Sequence, residues 1–173
     1  GVCADTIYSI AINSDDTILA AFTNGYLYIA KIYANGSGPV DGFNINQNLL
    51  TPSIPATGKI ALDANENIIA SAVIDEETIQ VVRYTKDGHT DTSWNSNGTP
   101  VTVTGMGHSV FLTSLMQSTT GQTLLVGYNT LRRVNGIHGP LFAVSLDSTG
   151  ALDYTWNSHA IPADVPGILT YQV

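Results

Sequence analysis

The groups in this 173-residue chain that could hold a metal or move a proton are four histidines, one cysteine and fourteen acidic residues. His89, His108, His138 and His159 are scattered, and none falls in a ligand spacing such as H-x-x-x-H. With Cys3 alone of its kind, the spacing gives a zinc centre little support. The histidines read instead as loop side chains. Asp15-Asp16 and Asp63 fall in corresponding turns, with Asn13 and Asn65 close by. Such oxygens can face Ca²⁺, but no D-x-[DN]-x-[DN]-G loop is present, and turn formation explains these residues without a metal. Gly105-Met106-Gly107-His108-Ser109 sets a hydroxyl beside an imidazole. It opens no helix, lacks phosphate-loop spacing and has no G-x-S-x-G elbow around it, so it reads as a joint between units. No cofactor is called for.

The most individual segment runs from Tyr128 through Arg132, Arg133, Asn135 and His138 to Pro140. It holds two of the six basic residues, and Leu124 to Gly150 is 26 residues where Ile68 to Gly88 is 20. Binding residues favour loops on rigid scaffolds, and paired arginines suit a partner's carboxylates. Tyr128, Arg132, Arg133, Asn135 and His138 are therefore candidate partner contacts.

Composition narrows the classes further. The chain is 43% hydrophobic but only 12% charged, with a net charge of −8. Six cations cannot neutralise a run of phosphates, which argues against nucleic acid. No apolar stretch reaches the ~18 residues that a membrane-spanning helix needs. Polar surface drawn from Asn, Thr, Ser and Gln suits an extracytoplasmic β-protein, which sets the expected location. A single cysteine excludes an internal disulfide, and Cys3 reads as a free thiol. The first residue is Gly rather than Met, as expected of a mature product or a part of something longer. The sequons at Asn35 and Asn97 coincide with Asn-Gly turns or their neighbours, so turn chemistry accounts for them.

The elements that must carry these residues are strands. Tyr8–Ile12 alternates with period two, Asn13-Ser14-Asp15-Asp16 turns, and Thr17–Phe22 returns. Asn24-Gly25 is a hairpin signal, and Tyr26–Tyr33 closes at Asn35-Gly36. The same order recurs from Lys59 to Lys86-Asp87-Gly88, and again from Phe111 to Gly150. Ile18, Ile68 and Leu124 are read as one equivalent position, and Gly36, Gly88 and Gly150 as another. Small residues follow the large ones in each second strand (Ala20-Ala21, Ala70-Ser71, Val126-Gly127), as where sheets converge on an axis. A phrase closes each unit: Asp87-Gly88 with Asp91 and Trp94, Thr149-Gly150 with Asp153 and Trp156, and a degraded copy with Asp41 and Phe43. Self-similarity at this period means stacked supersecondary units. In each phrase the aspartate is expected to accept backbone N–H bonds beyond the turn, and the aromatic ring to wedge between units. The alternative use for Trp94 and Trp156 is stacking on a sugar.

The strand, Asp-Gly turn and Asp-Thr-Ser-aromatic phrase, Thr90-Asp91-Thr92-Ser93-Trp94, resembles the delta-60 repeat, a β-propeller family of mostly uncharacterised bacterial proteins. The middle unit, Lys59 to Gly105, resembles it best, and the three units together cover nearly all the chain. Asn95 and Asn157 stand where that family prefers Gly, and Asp41-Gly42-Phe43 has lost the Thr/Ser. The resemblance implies four-stranded blades and no catalytic residues.

The expected fold is therefore all-β. One repeat domain spans 1–173, with three four-stranded antiparallel propeller-type blades over about 6–57, 58–108 and 109–173. Three blades do not close a ring, since propellers have 4–8. A protein partner or a second copy is expected to complete the ring or cover the blade edges. The expected role is a non-enzymatic binding or scaffolding module of a larger extracytoplasmic assembly. The alternatives are a carbohydrate-binding or adhesive surface module, and a metal-dependent hydrolase or lyase on a propeller scaffold.

Overall fold

A computed structural model describes residues 7–23, 27–43, 58–106, 109–129, 141–156 and 168–171. These form three antiparallel sheets. Sheet 1 contains β1 (Ile7–Ile12), β2 (Ile18–Thr23) and β3 (Leu27–Ile32). Sheet 2 contains β4 (Lys59–Leu62), β5 (Ile68–Val73), β6 (Ile79–Tyr84) and β7 (Val101–Val103). Sheet 3 contains β8 (Val110–Gln117), β9 (Thr123–Asn129), β10 (Leu141–Leu146) and β11 (Ile168–Tyr171). Two sheets thus have the expected four strands, while the first has three among the described residues. Residues 44–57, which follow its last strand, lie outside the described part.

The turns that build the sheets repeat in geometry more closely than in sequence. Asn13 donates its N–H to the Thr17 carbonyl at 2.9 Å, Asp63 to Asn67 at 3.0 Å, and Ser118 to Gln122 at 2.8 Å. The fourth residue of each turn has positive φ: Asp16 at 62°, Glu66 at 64° and Gly121 at 88°. Asp15 and Asp63 hold these turns from the side chain. Asp15 accepts the Thr17 amide at 3.0 Å, and Asp63 accepts the Asn65 amide at 2.8 Å and the Asn67 amide at 2.9 Å.

That shared turn fixes the register and corrects one alignment. Ile18 pairs with Ile12 and Ile32, and Ile68 with Leu62 and Tyr84. The residue paired in the same way in sheet 3, between Gln117 and Leu146, is Thr123. Leu124 is not the equivalent of Ile18 and Ile68. It lies one residue along, and in a strand one residue moves a side chain to the other face.

The sheets pack side by side, meeting along their first strands, β1 against β4 and β4 against β8. The small residues of the second strands therefore sit one strand outside the line of closest approach. Gly127 has a local reason: a Cβ there would fall 2.1 Å from the Phe111 carbonyl and 2.4 Å from the Phe142 ring. Leu19, Ala21, Leu27 and Ile29 of sheet 1 share a core with Ile60, Ile68, Ala70, Val82 and Tyr84 of sheet 2. On the other side of sheet 2, Ile69, Val73, Ile79, Val81 and Trp94 share a second core with Leu112, Leu125, Phe142, Val144 and Leu146. Sheet 2 is covered on both faces, and all six residues of β5 are buried. Its run of apolar residues, with no clean alternation, follows from that double cover. Among the described residues, sheets 1 and 3 are each covered on one face, by sheet 2.

Candidate functional site

The junction between sheets 2 and 3 shows what the repeated phrase does. β6 ends in a turn in which Thr85 donates its N–H to His89 at 2.7 Å and Gly88 donates to Thr85 at 2.9 Å, with Gly88 at φ 87°. Asp91 then accepts the Ser93 amide at 2.9 Å and the Ser93 hydroxyl at 2.5 Å. This side-chain turn aims the Trp94 ring out of sheet 2 and onto the Gly150 turn of sheet 3. A Cβ on Gly150 would lie 2.6 Å from that ring. Trp94 is 2% exposed, and the Asn95 amide bonds the Thr149 carbonyl at 2.9 Å beside it. Asn95, Ser96 and Asn97 all have positive φ within a single helical turn, Asn95–Gly98. Asn tolerates this region better than most residues, which accounts for Asn95 where Gly would be at ease.

Arg83 completes the junction, and sequence reasoning did not single it out. Its Nε donates to Asp91 at 2.8 Å, its Nη1 lies 3.7 Å from Asp63, and its guanidinium sits 5.8 Å from the Trp94 ring centroid. Burial pushes the Asp91 carboxyl up. The Ser93 hydroxyl and amide and the Arg83 guanidinium outweigh it, and the group titrates below its ordinary value of 3.8. A signal was present in the sequence: Arg83 is a cation set inside the apolar strand Ile79–Tyr84, two residues before the turn that starts at Thr85 and eight before Asp91.

The phrase in sheet 3 has the same local geometry and a different environment. Asp147 and Gly150 form the turn, with Gly150 at φ 90°. Asp153 accepts the Thr155 hydroxyl at 2.7 Å, the Thr155 amide at 3.0 Å and the Trp156 amide at 3.2 Å. The Thr155 hydroxyl bond holds Asp153 below its usual carboxylate range, helped by the two amides. Yet Trp156 is 36% exposed. The expectation that it too is wedged between units is corrected, because no described residue of a further sheet covers it. Ser145 occupies the strand position that Arg83 holds in sheet 2, so no guanidinium fills the space beside the ring. A groove of about 290 Å³ opens there, lined by Met116, Leu124 and Trp156 together with Ser118, Gln122 and the buried Ser145.

The first phrase is reduced. Phe43 packs on the core shared by sheets 1 and 2, as an aromatic wedge should. Asp41 is exposed, and the backbone holds its turn, the Phe43 amide donating to Val40 at 3.3 Å. Among the described residues no side-chain hydrogen bond of Asp41 anchors the turn, and Asn44 onward lies outside them. The turn glycine before it, Gly36, has φ 71° and nothing within 4 Å of where a Cβ would stand.

Both outer faces of the stack are apolar. On sheet 1, cross-strand partners place Ile7, Phe22 and Tyr28 in one row, Ile10, Ala20 and Ala30 in the next, and Ile12, Ile18 and Ile32 in the third. Ile10 is 64% and Ile12 62% exposed. On sheet 3, Phe111, Tyr128 and Leu141 make one row, and Met116, Leu124 and Ser145 another. Tyr128, a candidate contact residue, stacks on Phe111 with ring centroids 5.3 Å apart. Arg132, Arg133, Asn135 and His138 lie outside the described residues, as do Cys3, His108 and His159. His89 is an exposed turn residue. Among the described residues no three His, Cys, Asp or Glu come together as a metal site, and no helix is long and apolar enough to cross a membrane.

No family model and no curated protein matches this chain. Among solved structures it is similar to a GH43 glycoside hydrolase engineered to display both endo-xylanase and exo-arabinofuranosidase activity, with 13% identity and a TM-score of 0.49. That match covers 95% of this chain and 32% of the other, so the chain spans about a third of that protein's length. It is also similar to a protein of unknown function from Bacteroides caccae, with 13% identity, a TM-score of 0.40, and 96% and 72% of the two chains covered.

Proposed function

We propose that this chain is a non-enzymatic binding and scaffolding module built from delta-60-like propeller blades, working within a larger extracytoplasmic assembly. One observation carries the reading: among the described residues, both end faces of the stack expose large apolar side chains. Ile7, Ile10 and Ile12 stand at 59–64% exposure at one end, and Phe111, Met116 and Leu141 at 41–46% at the other. Repeat stacks normally finish in polar capping units, and apolar patches of this kind mark interaction sites. Side-by-side sheets meeting along their first strands fit an arc of a propeller, which calls for further blades. The low charge and the Asn- and Thr-rich surface support an extracytoplasmic setting. Light scattering combined with apolar-dye fluorescence tests the proposal. The expected result is an assembled particle, or a monomer that binds dye through these faces. A stable monomer with no accessible apolar patch overturns it.

A second reading has its own observation. Trp156 borders a groove that is also lined by the amide of Gln122 and the hydroxyl of Ser118. An exposed indole beside amide and hydroxyl groups suits stacking on a sugar ring. A glycan array compared with the Trp156→Ala variant tests it. Binding that does not depend on Trp156, or no binding at all, removes it.

A further inference from the structure

We infer that the face around Trp156 docks the outer face of sheet 1 in a second copy of this chain, head to tail. The inference rests on the interaction reading above and names the partner. The junction already present between sheets 2 and 3 is the template for this contact. There, Trp94 lies over the turn that follows Leu146, against Gly150, in a core that Leu152 also packs on. Two elements make that junction: an aromatic ring projected by an Asp-anchored turn, and a glycine turn beside an apolar sheet face.

The chain carries one further example of each, and neither meets its counterpart among the described residues. The projected ring is Trp156, held by Asp153 and 36% exposed. The glycine turn is that of Gly36. Ile32 precedes Gly36 as Leu146 precedes Gly150, by four residues, and each bridges a residue just past its turn: Ile32 to Pro39, Leu146 to Leu152. Gly36 has φ 71°, close to the 90° of Gly150. Where a Cβ on Gly150 would strike the Trp94 ring, the same position at Gly36 is open. The sheet face beside Gly36 also matches. Ile12, Ile18 and Ile32 occupy the register positions of Leu62, Ile68 and Tyr84, whose face is buried against sheet 1. The outer face of sheet 1 thus has the position and the apolar character of a face that the fold buries elsewhere.

A second copy supplies what is missing at both ends. Three sheets and three sheets make six, within the range of roughly 4–8 at which such rings close. Each of the two junctions then joins unlike faces, sheet 3 of one copy to sheet 1 of the other, related by a two-fold axis. Ser145 in place of Arg83 leaves the groove open on the side from which the incoming turn arrives.

The test uses the whole chain under reducing conditions, so that Cys3 cannot cross-link, with two variants at exposed positions. Trp156→Ala removes the ring, and the double variant Ile10→Glu/Ile12→Glu charges the face that would receive it. Light scattering of the wild type is expected to give about twice the 18.3 kDa chain mass. Each variant alone should be monomeric, with unchanged circular dichroism. A 1:1 mixture of the two should recover a two-chain complex, because one good junction remains, though at higher concentration than the wild type needs. A two-chain particle that survives in either variant alone overturns the proposal, since the contact is then not between these faces. Masses that grow beyond two copies overturn the closed pair. A wild type that stays monomeric also overturns it. If that monomer binds apolar dye, and charging Ile10 and Ile12 abolishes the binding, the broader reading stands with a different protein as partner. If it binds none, both readings fall.

Discussion

Replacing Trp94 and Trp156 by alanine, one at a time, separates the local phrase from the junction it makes. The two rings are held by the same kind of aspartate turn and differ in what covers them. Trp94 is 2% exposed and Trp156 is 36% exposed, a difference of 34%. A tryptophan buries up to ~250 Å², so 34% of it is about 85 Å², or about 2 kcal/mol at 25 cal/mol per Å². The Arg83 guanidinium over Trp94 adds about 1 kcal/mol. Trp94→Ala should therefore cost about 3 kcal/mol more than Trp156→Ala. Urea unfolding followed by far-ultraviolet circular dichroism, in dilute protein so that no intermolecular junction contributes, gives both values. The slopes should stay alike if both variants unfold from the same compact state. The remaining tryptophan provides an internal check: emission should be blue in Trp156→Ala, which keeps the buried ring, and red in Trp94→Ala. Costs equal to within about 1 kcal/mol, or a larger cost at Trp156, would refute the view that the incoming turn, rather than the phrase, supplies the stabilisation.

The turn glycines offer a parallel contrast: Gly36→Ala pays about 1–2 kcal/mol for left-handed backbone alone, while Gly150→Ala adds about 1–3 kcal/mol of overpacking against Trp94, as urea midpoints would show. Arg83→Met leaves Asp63 and Asp91, with side chains 9% and 11% exposed, without their cation. It should cost about 3 kcal/mol, part of it regained in the Arg83→Met/Asp91→Asn double variant, and full additivity in that cycle would count against the pairing. Acid should weaken the fold in a defined direction. Asp91, Asp147 and Asp153 all titrate below 3.8 when folded, so the unfolded chain takes up protons first as pH falls. Their contribution is complete above that value and lost as pH drops through the folded values. The urea midpoint should fall in that window, with a shallower fall in Asp91→Asn; an identical pH profile would show that Asp91 is not among the groups responsible.

The repeat architecture was legible because turns leave strong marks. Asn13-Ser14-Asp15-Asp16, Asp63-Ala64-Asn65-Glu66 and Ser118-Thr119-Thr120-Gly121 all stand where the chain reverses. The alignment slipped in the third unit because it followed apolar identity. Leu124 resembles Ile68 in chemistry, but Thr123 holds the paired position, and its hydroxyl is satisfied by Gln117 at 2.8 Å. The fate of the two tryptophans was not legible, since both phrases fold alike locally and only the neighbouring sheet decides which ring is covered. The same holds for the outer faces. Ile10 and Ile12 read only as one apolar face of an alternating strand, because a strand's pattern says which residues share a face and not whether anything lies against it. Arg83 was hidden for the opposite reason: a lone cation in a strand looks like surface until Asp63 and Asp91 converge on it through two separate turns.

The double cover of sheet 2 also sets an order of loosening. Each sheet leans only on its neighbour, so either end of the stack can fray without disturbing the far junction. β5, with every side chain enclosed, is reached last from both directions. Its amide hydrogens should be the slowest in the molecule to exchange with deuterium, and those of β1 among the quickest. Protection should rise inward from both ends. In an associated form β1 would become an interior strand, and slowed exchange there would register assembly before any change in shape.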